Sequence, residues 1–289
     1  MRQSILGSAI SAVVLLATVV PASAAPVVTL TTQQTYNISQ PFGLAIAPNS
    51  NVLYYTTFSD NLIHKLNTIT GANLGTIPNP SNVPLSALGI TPTGQIVSAS
   101  GTTVFFRDPV TGALIRTVTS PVNLGFVDGL DYDNGQIYAS PDVGPLYRFT
   151  DPGLPSGSAG VFVGTNPIPA SPMSGYSGIE RIDVPGASFY IVVNDNFNPR
   201  HLTILDLNGA TLGDTILANS RFEDLAFDGK SLFAADLVGG RIQRLDVQVD
   251  GVSIFQPTPE PATLAVFGLM GAAGFGYVRR RLKGAPVAV

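Results

Sequence analysis

The chain has 289 residues, no cysteine and a formal net charge of −4 at pH 7. Without cysteine it has no disulfide framework, no thiolate zinc centre and no cysteine nucleophile. Between Ala25 and Gln256 there are 18 acidic and 10 basic side chains, a balance that gives no electrostatic grip on nucleic acid.

Met1 to Ala25 reads as a secretory signal peptide. Arg2 and the free amine supply the positive start, Ile5 to Val20 is mainly apolar, and Pro21 breaks the run. Ala22-Ser23-Ala24 then fits the small-x-small cleavage rule, so residues 1–24 are the expected signal and Ala25 the first mature residue.

Residues 25–256 are expected to form one all-β domain. Five segments align on one another, starting at Pro41, Leu85, Phe126, Tyr176 and Arg221. Their anchor residues Leu44, Leu88, Leu130, Ile179 and Leu225 are spaced 44, 42, 49 and 46 apart, the period of four-stranded propeller blades. Each repeat opens on a short apolar strand, such as Leu44-Ala45-Ile46. A turn rich in Pro, Asp, Asn and Gly follows (Asp133-Asn134-Gly135, Asp228-Gly229), where Gly supplies positive φ and Asn or Asp bonds its own backbone. A β-rich second strand comes next, as in Phe189-Tyr190-Ile191-Val192-Val193. The third strand alternates, as Leu62, His64 and Leu66 against Ile63 and Lys65. Thr-Gly or Asn-Gly leads into the fourth.

Ahead of the first repeat, Pro26 to Ile38 is strand-like and is expected to complete the last blade and close the ring. Five blades result, or six if Pro26–Ile38 and Pro152–Pro172 contribute more strands. Asp151 to Pro172, rich in Gly, Pro and Ser, reads as a long surface loop.

In a propeller the innermost strands line a central channel. Just before the five anchors stand Gly43, Ala87, Gly129, Gly178 and Asp224, and one step earlier Phe42, Ser86, Asp128, Ser177 and Glu223. That pattern directs Asp128, Glu223 and Asp224 to a channel mouth. Asp142, Asn194, Asp195 and Asp236 end second strands. Oxygen ligands of this type suit Ca²⁺, and Asp128, Asn194, Glu223 and Asp224 form the candidate metal set. The competing reading has the same acids capping turns and strand-end amides. His64 and His201 fall in third strands of different blades, where surface or packing roles are expected rather than shared zinc. No G-x-S-x-G is present, and no catalytic residue is assigned. Tyr54, Tyr55, Tyr138, Tyr147 and Tyr190 lie in strands, where core packing is the default.

Gln256 to Pro261 links the domain to a tail with three parts in fixed order. Pro259, Glu260 and Pro261 come first. An apolar run from Ala262 to Val278 follows, and Arg279, Arg280 and Arg281 close it. The 17 residues of the run span roughly 26 Å as a helix, the short end of a membrane crossing. Gly268, Ala272 and Gly276 form a small-xxx-small face, and the arginines are expected to stay cytoplasmic.

This tail resembles the PEP-CTERM sorting signal of Gram-negative bacteria, which implies that residues 257–289 are a sorting signal with a transmembrane helix at 262–278. The resemblance further implies processing by an exosortase, delivery to the cell surface or matrix after transient inner-membrane anchoring, and a host that makes extracellular polysaccharide. The extra residues after Arg281 depart from the usual pattern. The repeats resemble, more loosely, the NHL/YVTN group of bacterial propellers, which implies the fold and no particular activity. Taken together, the expectation is an exported propeller that binds or scaffolds at the surface, linked to exopolysaccharide and biofilm. Its partners would be polysaccharide or surface proteins, and it would not be an enzyme. Two alternatives stand beside it: a Ca²⁺-dependent propeller hydrolase or lactonase, and a purely structural surface protein.

Overall fold

The computed structural model describes residues 26–47, 50–79, 85–142, 144–163, 175–194 and 199–255. The signal-peptide residues Ala22, Ala24 and Ala25, the sorting residues Pro259, Glu260, Pro261, Arg279, Arg280 and Arg281, the 262–278 span and Asp195 lie outside the described residues.

The described part is all β, without a helix, and forms a five-bladed propeller. The N-terminal strand is β1 (Val28–Asn37). Blade 1 holds β2 (Pro41–Ile46), β3 (Val52–Thr57), β4 (Ile63–Asn67) and β5 (Asn73–Ile77). Blade 2 holds β6 (Gly89–Ile90), β7 (Ile96–Ser100), β8 (Thr103–Arg107) and β9 (Leu114–Thr119). Blade 3 has three strands, β10 (Val127–Asp133), β11 (Gln136–Pro141) and β12 (Tyr147–Thr150). A short β13 (Ser158–Ala159) follows. Blade 4 holds β14 (Tyr176–Val184), β15 (Ala187–Asn194), β16 (His201–Leu205) and β17 (Thr211–Ile216). Blade 5 holds β18 (Phe222–Phe227), β19 (Leu232–Asp236), β20 (Arg241–Val249) and β21 (Val252–Ser253). The innermost strands are β2, β6, β10, β14 and β18. The face where they begin is called the leading face, and the face where they end the trailing face.

The loop expected from Asp151 to Pro172 is partly strand. Ser158–Ala159 pairs in parallel with Val118–Thr119 of blade 2, and Phe162 bridges Phe149 of blade 3. One segment therefore fastens the outer edges of two neighbouring blades. The third strand of blade 1 also packs differently from its expected alternation. Ile63 and Leu66 are both buried, because each blade face meets another blade.

That double burial accounts for the apolar strands. There are five core clusters, one for each junction between neighbouring blades. Tyr54 and Ile63 meet Leu88 and Ile96 between blades 1 and 2, while Tyr138 and Leu146 meet Tyr190 and Val192 between blades 3 and 4. The sheets pack face to face around a closed ring, so no blade has a solvent-facing side except at its outer edge. Hydroxyls add crosslinks near the axis. Thr56 donates to the Ser86 carbonyl of the next blade at 2.9 Å, and Ser177 to the Phe222 carbonyl at 2.8 Å.

The ring is closed by β1. It pairs antiparallel with β20 from Val28↔Val249 to Asn37↔Arg241 and becomes the outermost long strand of blade 5. Val28 is buried in the blade 4–5 cluster and Tyr36 in the blade 5–1 cluster. The Tyr36 hydroxyl donates to the Thr68 carbonyl of blade 1 at 2.5 Å. The first described strand thus binds the last blade to its neighbours on both sides, which removes the open edge expected of a linear array. Deleting residues 27–30 from the 25–256 fragment is expected to lower its melting temperature, with a stability loss of about 2–5 kcal/mol from the buried aliphatic side chains alone. Thermal unfolding checks this, and an unchanged midpoint would show that β1 is not the closure.

Candidate functional site

The axis is crowded where the innermost strands converge. A Cβ on Gly43 would stand 2.0 Å from the Ser86 carbonyl, and one on Gly129 2.3 Å from the Ser177 carbonyl. Neighbouring blades leave room there only for hydrogen. Blade 5 departs from the small-residue pattern with Asp224, which is fully buried. Its Oδ2 accepts the amides of Leu44 at 2.9 Å and Leu88 at 3.2 Å, its Oδ1 accepts the amide of Leu225 at 2.9 Å, and the Leu130 amide also bonds it. One carboxylate thus joins the anchor positions of blades 1, 2, 3 and 5. Burial pushes its pKa well above the usual carboxylate range, and the four amides pull against that rise.

The other members of the candidate metal set have other surroundings. Asp128, Asn194 and Glu223 are buried, and Glu223 stands 2.7 Å from the Arg221 guanidinium. Asp236 is occupied in the manner of a turn cap. It takes the amides of Arg221 and Gly239, both at 3.0 Å, and the side chains of Arg241 at 2.9 Å and Gln243 at 3.0 Å. Asp142 is exposed. Among the described residues, no group of three or more His, Asp or Glu is arranged to hold a metal ion. His64 sits 3.1 Å from Asp60 and stacks on Tyr55, and His201 sits 2.6 Å from Asp214, in blades 1 and 4. The strand tyrosines Tyr54, Tyr55, Tyr138 and Tyr190 are buried in the core, with Tyr147 packed at its edge.

The channel opens at the trailing face, whereas the sequence pattern directed its acids to the leading ends of the strands. There a cavity of about 360 Å³ is walled by the ends of all five innermost strands, with Asp131, Asp133, Glu180, Arg181, Asp183 and Asp228 among its lining. Arg181 organises one side. Its Nη1 donates to Asp133 at 2.5 Å and to the Tyr138 hydroxyl at 3.1 Å, and its Nη2 to Asp183 at 3.1 Å. Its backbone amide donates to Asp131 at 2.9 Å. Burial raises Asp131 from 3.8 to about 7, against the pull of the Arg181 and Tyr132 amides. Glu180 is raised well above its ordinary value by burial first, then by the negative charges of Asp131 and Asp224. Sequence reasoning missed this group. Its signal was present in Asp131 and Asp133 of GLDYD and in Glu180 and Asp183 of GIERID, just after the anchors.

A second concavity, of about 290 Å³, lies on the leading face between blades 1, 2 and 3. Phe42 forms its buried base. Phe58 stands edge-on to it at 4.3 Å between ring centroids, and Phe126 is tilted against it at 5.6 Å. Phe58 and Phe126 are each about half exposed. Thr57, Asp60 and Asn61 supply polar groups on one side.

Residues 257–281 carry a PEP-CTERM protein-sorting motif. This marks an exported protein that is sorted by an exosortase and held in the membrane before cleavage. No curated protein matches the chain. Among solved structures, the glutaminyl cyclase of Myxococcus xanthus is 13% identical, covers 78% of this chain and 99% of its own, and superposes with a TM-score of 0.53. The hydrazine synthase of Kuenenia stuttgartiensis is 15% identical over 70% of this chain and 57% of its own, at 0.44. At 13% identity, the likeness to the cyclase speaks for the fold alone.

Two expected outcomes follow from the axis. Asp224→Ala leaves four amides without their acceptor, so a loss of at least ~3 kcal/mol is expected, with Asp224→Asn also destabilised because one of the two accepting oxygens becomes an NH2 that can only donate. Denaturant unfolding checks both, and a wild-type midpoint in Asp224→Ala would exclude the hub. The second concerns pH. The folded chain binds the Asp131 proton more tightly than the unfolded chain, whose value is near 3.8. Stability contributed by this group therefore falls as pH rises from about 4 to about 7. Asp131→Asn is expected to flatten that slope in a series of melts, and an unaltered slope would contradict the assignment.

Proposed function

We propose that this exported propeller is a surface-displayed binding protein and that its ligand is a saccharide chain of the extracellular polysaccharide. The observation that carries the reading is the aromatic concavity of the leading face. Half-exposed phenyl rings above a buried one offer flat apolar surface to the C–H faces of sugar rings. The hydroxyl, carboxylate and amide of Thr57, Asp60 and Asn61 stand where sugar hydroxyls need partners. The sorting motif supports the reading, because an exported protein reaches the compartment where such polymers are found.

The test is binding of the polysaccharide purified from the producing organism, measured by calorimetry on the wild type and on the Phe58→Ala/Phe126→Ala variant. The variant is expected to bind about tenfold more weakly, since two stacking contacts of ~0.5–1.5 kcal/mol each are lost. Its melting temperature should change little, because both rings are half in solvent. Equal affinity of the two proteins would overturn the reading.

A further inference from the structure

Both ends of the described domain lie at the trailing face. Strand β1 begins beside the end of β20, with Val28 opposite Val249, and the Val27 amide donates to Asp250 at 2.9 Å. After the turn at Asp250 and Gly251, β21 folds back along β20, and the Ile254 amide donates to the Val247 carbonyl at 2.9 Å. The last described residue, Phe255, is buried and packs on Phe227, the terminal residue of the innermost strand β18, at 4.8 Å between ring centroids. Phe227 also lines the central cavity. The chain therefore leaves the fold at the trailing face, close to the channel mouth.

Little chain separates that point from the sorting signal. Gln256, Pro257 and Thr258 stand between Phe255 and Pro259, and the apolar run begins at Ala262. At ~3.3–3.6 Å per residue, the fully extended chain reaches Pro259 within about 14 Å of Phe255 and Ala262 within about 25 Å. A tether this short keeps the trailing face near any bilayer that holds the run.

The rim of the same face is apolar at its tips. The turns that join third to fourth strands there are built alike in blades 1 and 2. Asn67 Oδ1 accepts the amides of Ile69 and Thr70, and Asp108 Oδ1 accepts those of Val110 and Thr111. These bonded turns hold Ile69 and Val110 outward, 62% and 75% exposed. In blade 3, Leu154 follows the third strand and is 77% exposed; at the ring closure Val27 is 64% exposed. Single exposed aliphatics are ordinary. Four of them on the rim from which a membrane-bound tail departs make a surface suited to the bilayer interface.

We propose that, before processing, the propeller lies with its trailing face against the lipid headgroups, with Val27, Ile69, Val110 and Leu154 at the interface. The leading face, with its aromatic concavity, is turned away from the membrane. The proposal rests on the sorting reading, because it requires the 262–278 run to be in the bilayer.

The absence of cysteine from the chain makes the test clean. Full-length protein carrying one cysteine is labelled with a fluorophore and reconstituted into phosphatidylcholine vesicles containing a headgroup-nitroxide lipid. Lys230→Cys and Thr93→Cys report the trailing face, and Val238→Cys and Ser59→Cys the leading face; all four positions are exposed. Quenching is expected to be several-fold stronger at the two trailing positions. Inserting twenty Gly/Ser residues after Gln256, which lengthens the tether by ~25 Å on average, together with Ile69→Glu and Val110→Glu, is expected to bring the two faces towards equal quenching. Equal quenching without these changes, in protein that cosediments with the vesicles, overturns the orientation and leaves the sorting reading standing. Protein that does not cosediment overturns both.

Discussion

Four backbone amides from four blades converge on the carboxylate of Asp224, and the geometry of the ring depends on that meeting. Innermost strands have no further strand to pair with on the axial side, so their amides face the axis. A buried amide without a partner costs about 1–3 kcal/mol. Asp224 answers those of Leu44, Leu88, Leu130 and Leu225 with one side chain. It has the room because its counterparts in the other blades are Gly43, Ala87, Gly129 and Gly178. Five acids at that level would repel one another in a desolvated space; one acid among four small residues avoids the repulsion and still supplies the acceptors.

Around this hub the ring is held by apolar burial repeated five times. Each blade lends both faces to a core, so a blade separated from its neighbours would expose two apolar surfaces. Cohesion of that kind needs closure, and β1 provides it by reaching from the first residues of the domain to the last blade. The segment containing β13 is a smaller instance of the same device. It joins the outer edge of blade 2 to that of blade 3, whose sheet has three strands among the described residues.

The two faces differ in chemistry because they receive different ends of the strands. The leading face has the rings of Phe42, Phe58 and Phe126 beside Thr57, Asp60 and Asn61. The trailing face has the cavity in which Asp131 and Glu180 are held at raised pKa, each by burial first, with the charge of Asp133 adding to Asp131 and those of Asp131 and Asp224 to Glu180. Arg181 ties Asp133 and Asp183 to the wall of that cavity and leaves Asp131 only backbone amides. Both ends of the described domain, Val27 and Phe255, emerge on this second face, opposite the aromatic concavity.

The sequence by itself determined the repeat, the strand that closes the ring and the address of the protein, and it left five or six blades for the structure to decide. Each of these is a one-dimensional property: the spacing of Leu44, Leu88, Leu130, Ile179 and Leu225, the β-rich stretch after Pro26, and the order of triplet, apolar run and arginines. The small residues before the anchors were visible too, along with Asp224 as their exception. Its role was not, because a row of aligned residues does not say which neighbours supply the partners. Only the closed ring brings amides from residues 44, 88 and 130 to an acid at 224. The tertiary structure alone also decided where the channel opens. The side chains just after the anchors line the wide end, and those just before them are packed between blades. Phe42, Phe58 and Phe126 belong to different strands and turns with no shared period, so only the curvature of the ring could gather them into one concavity.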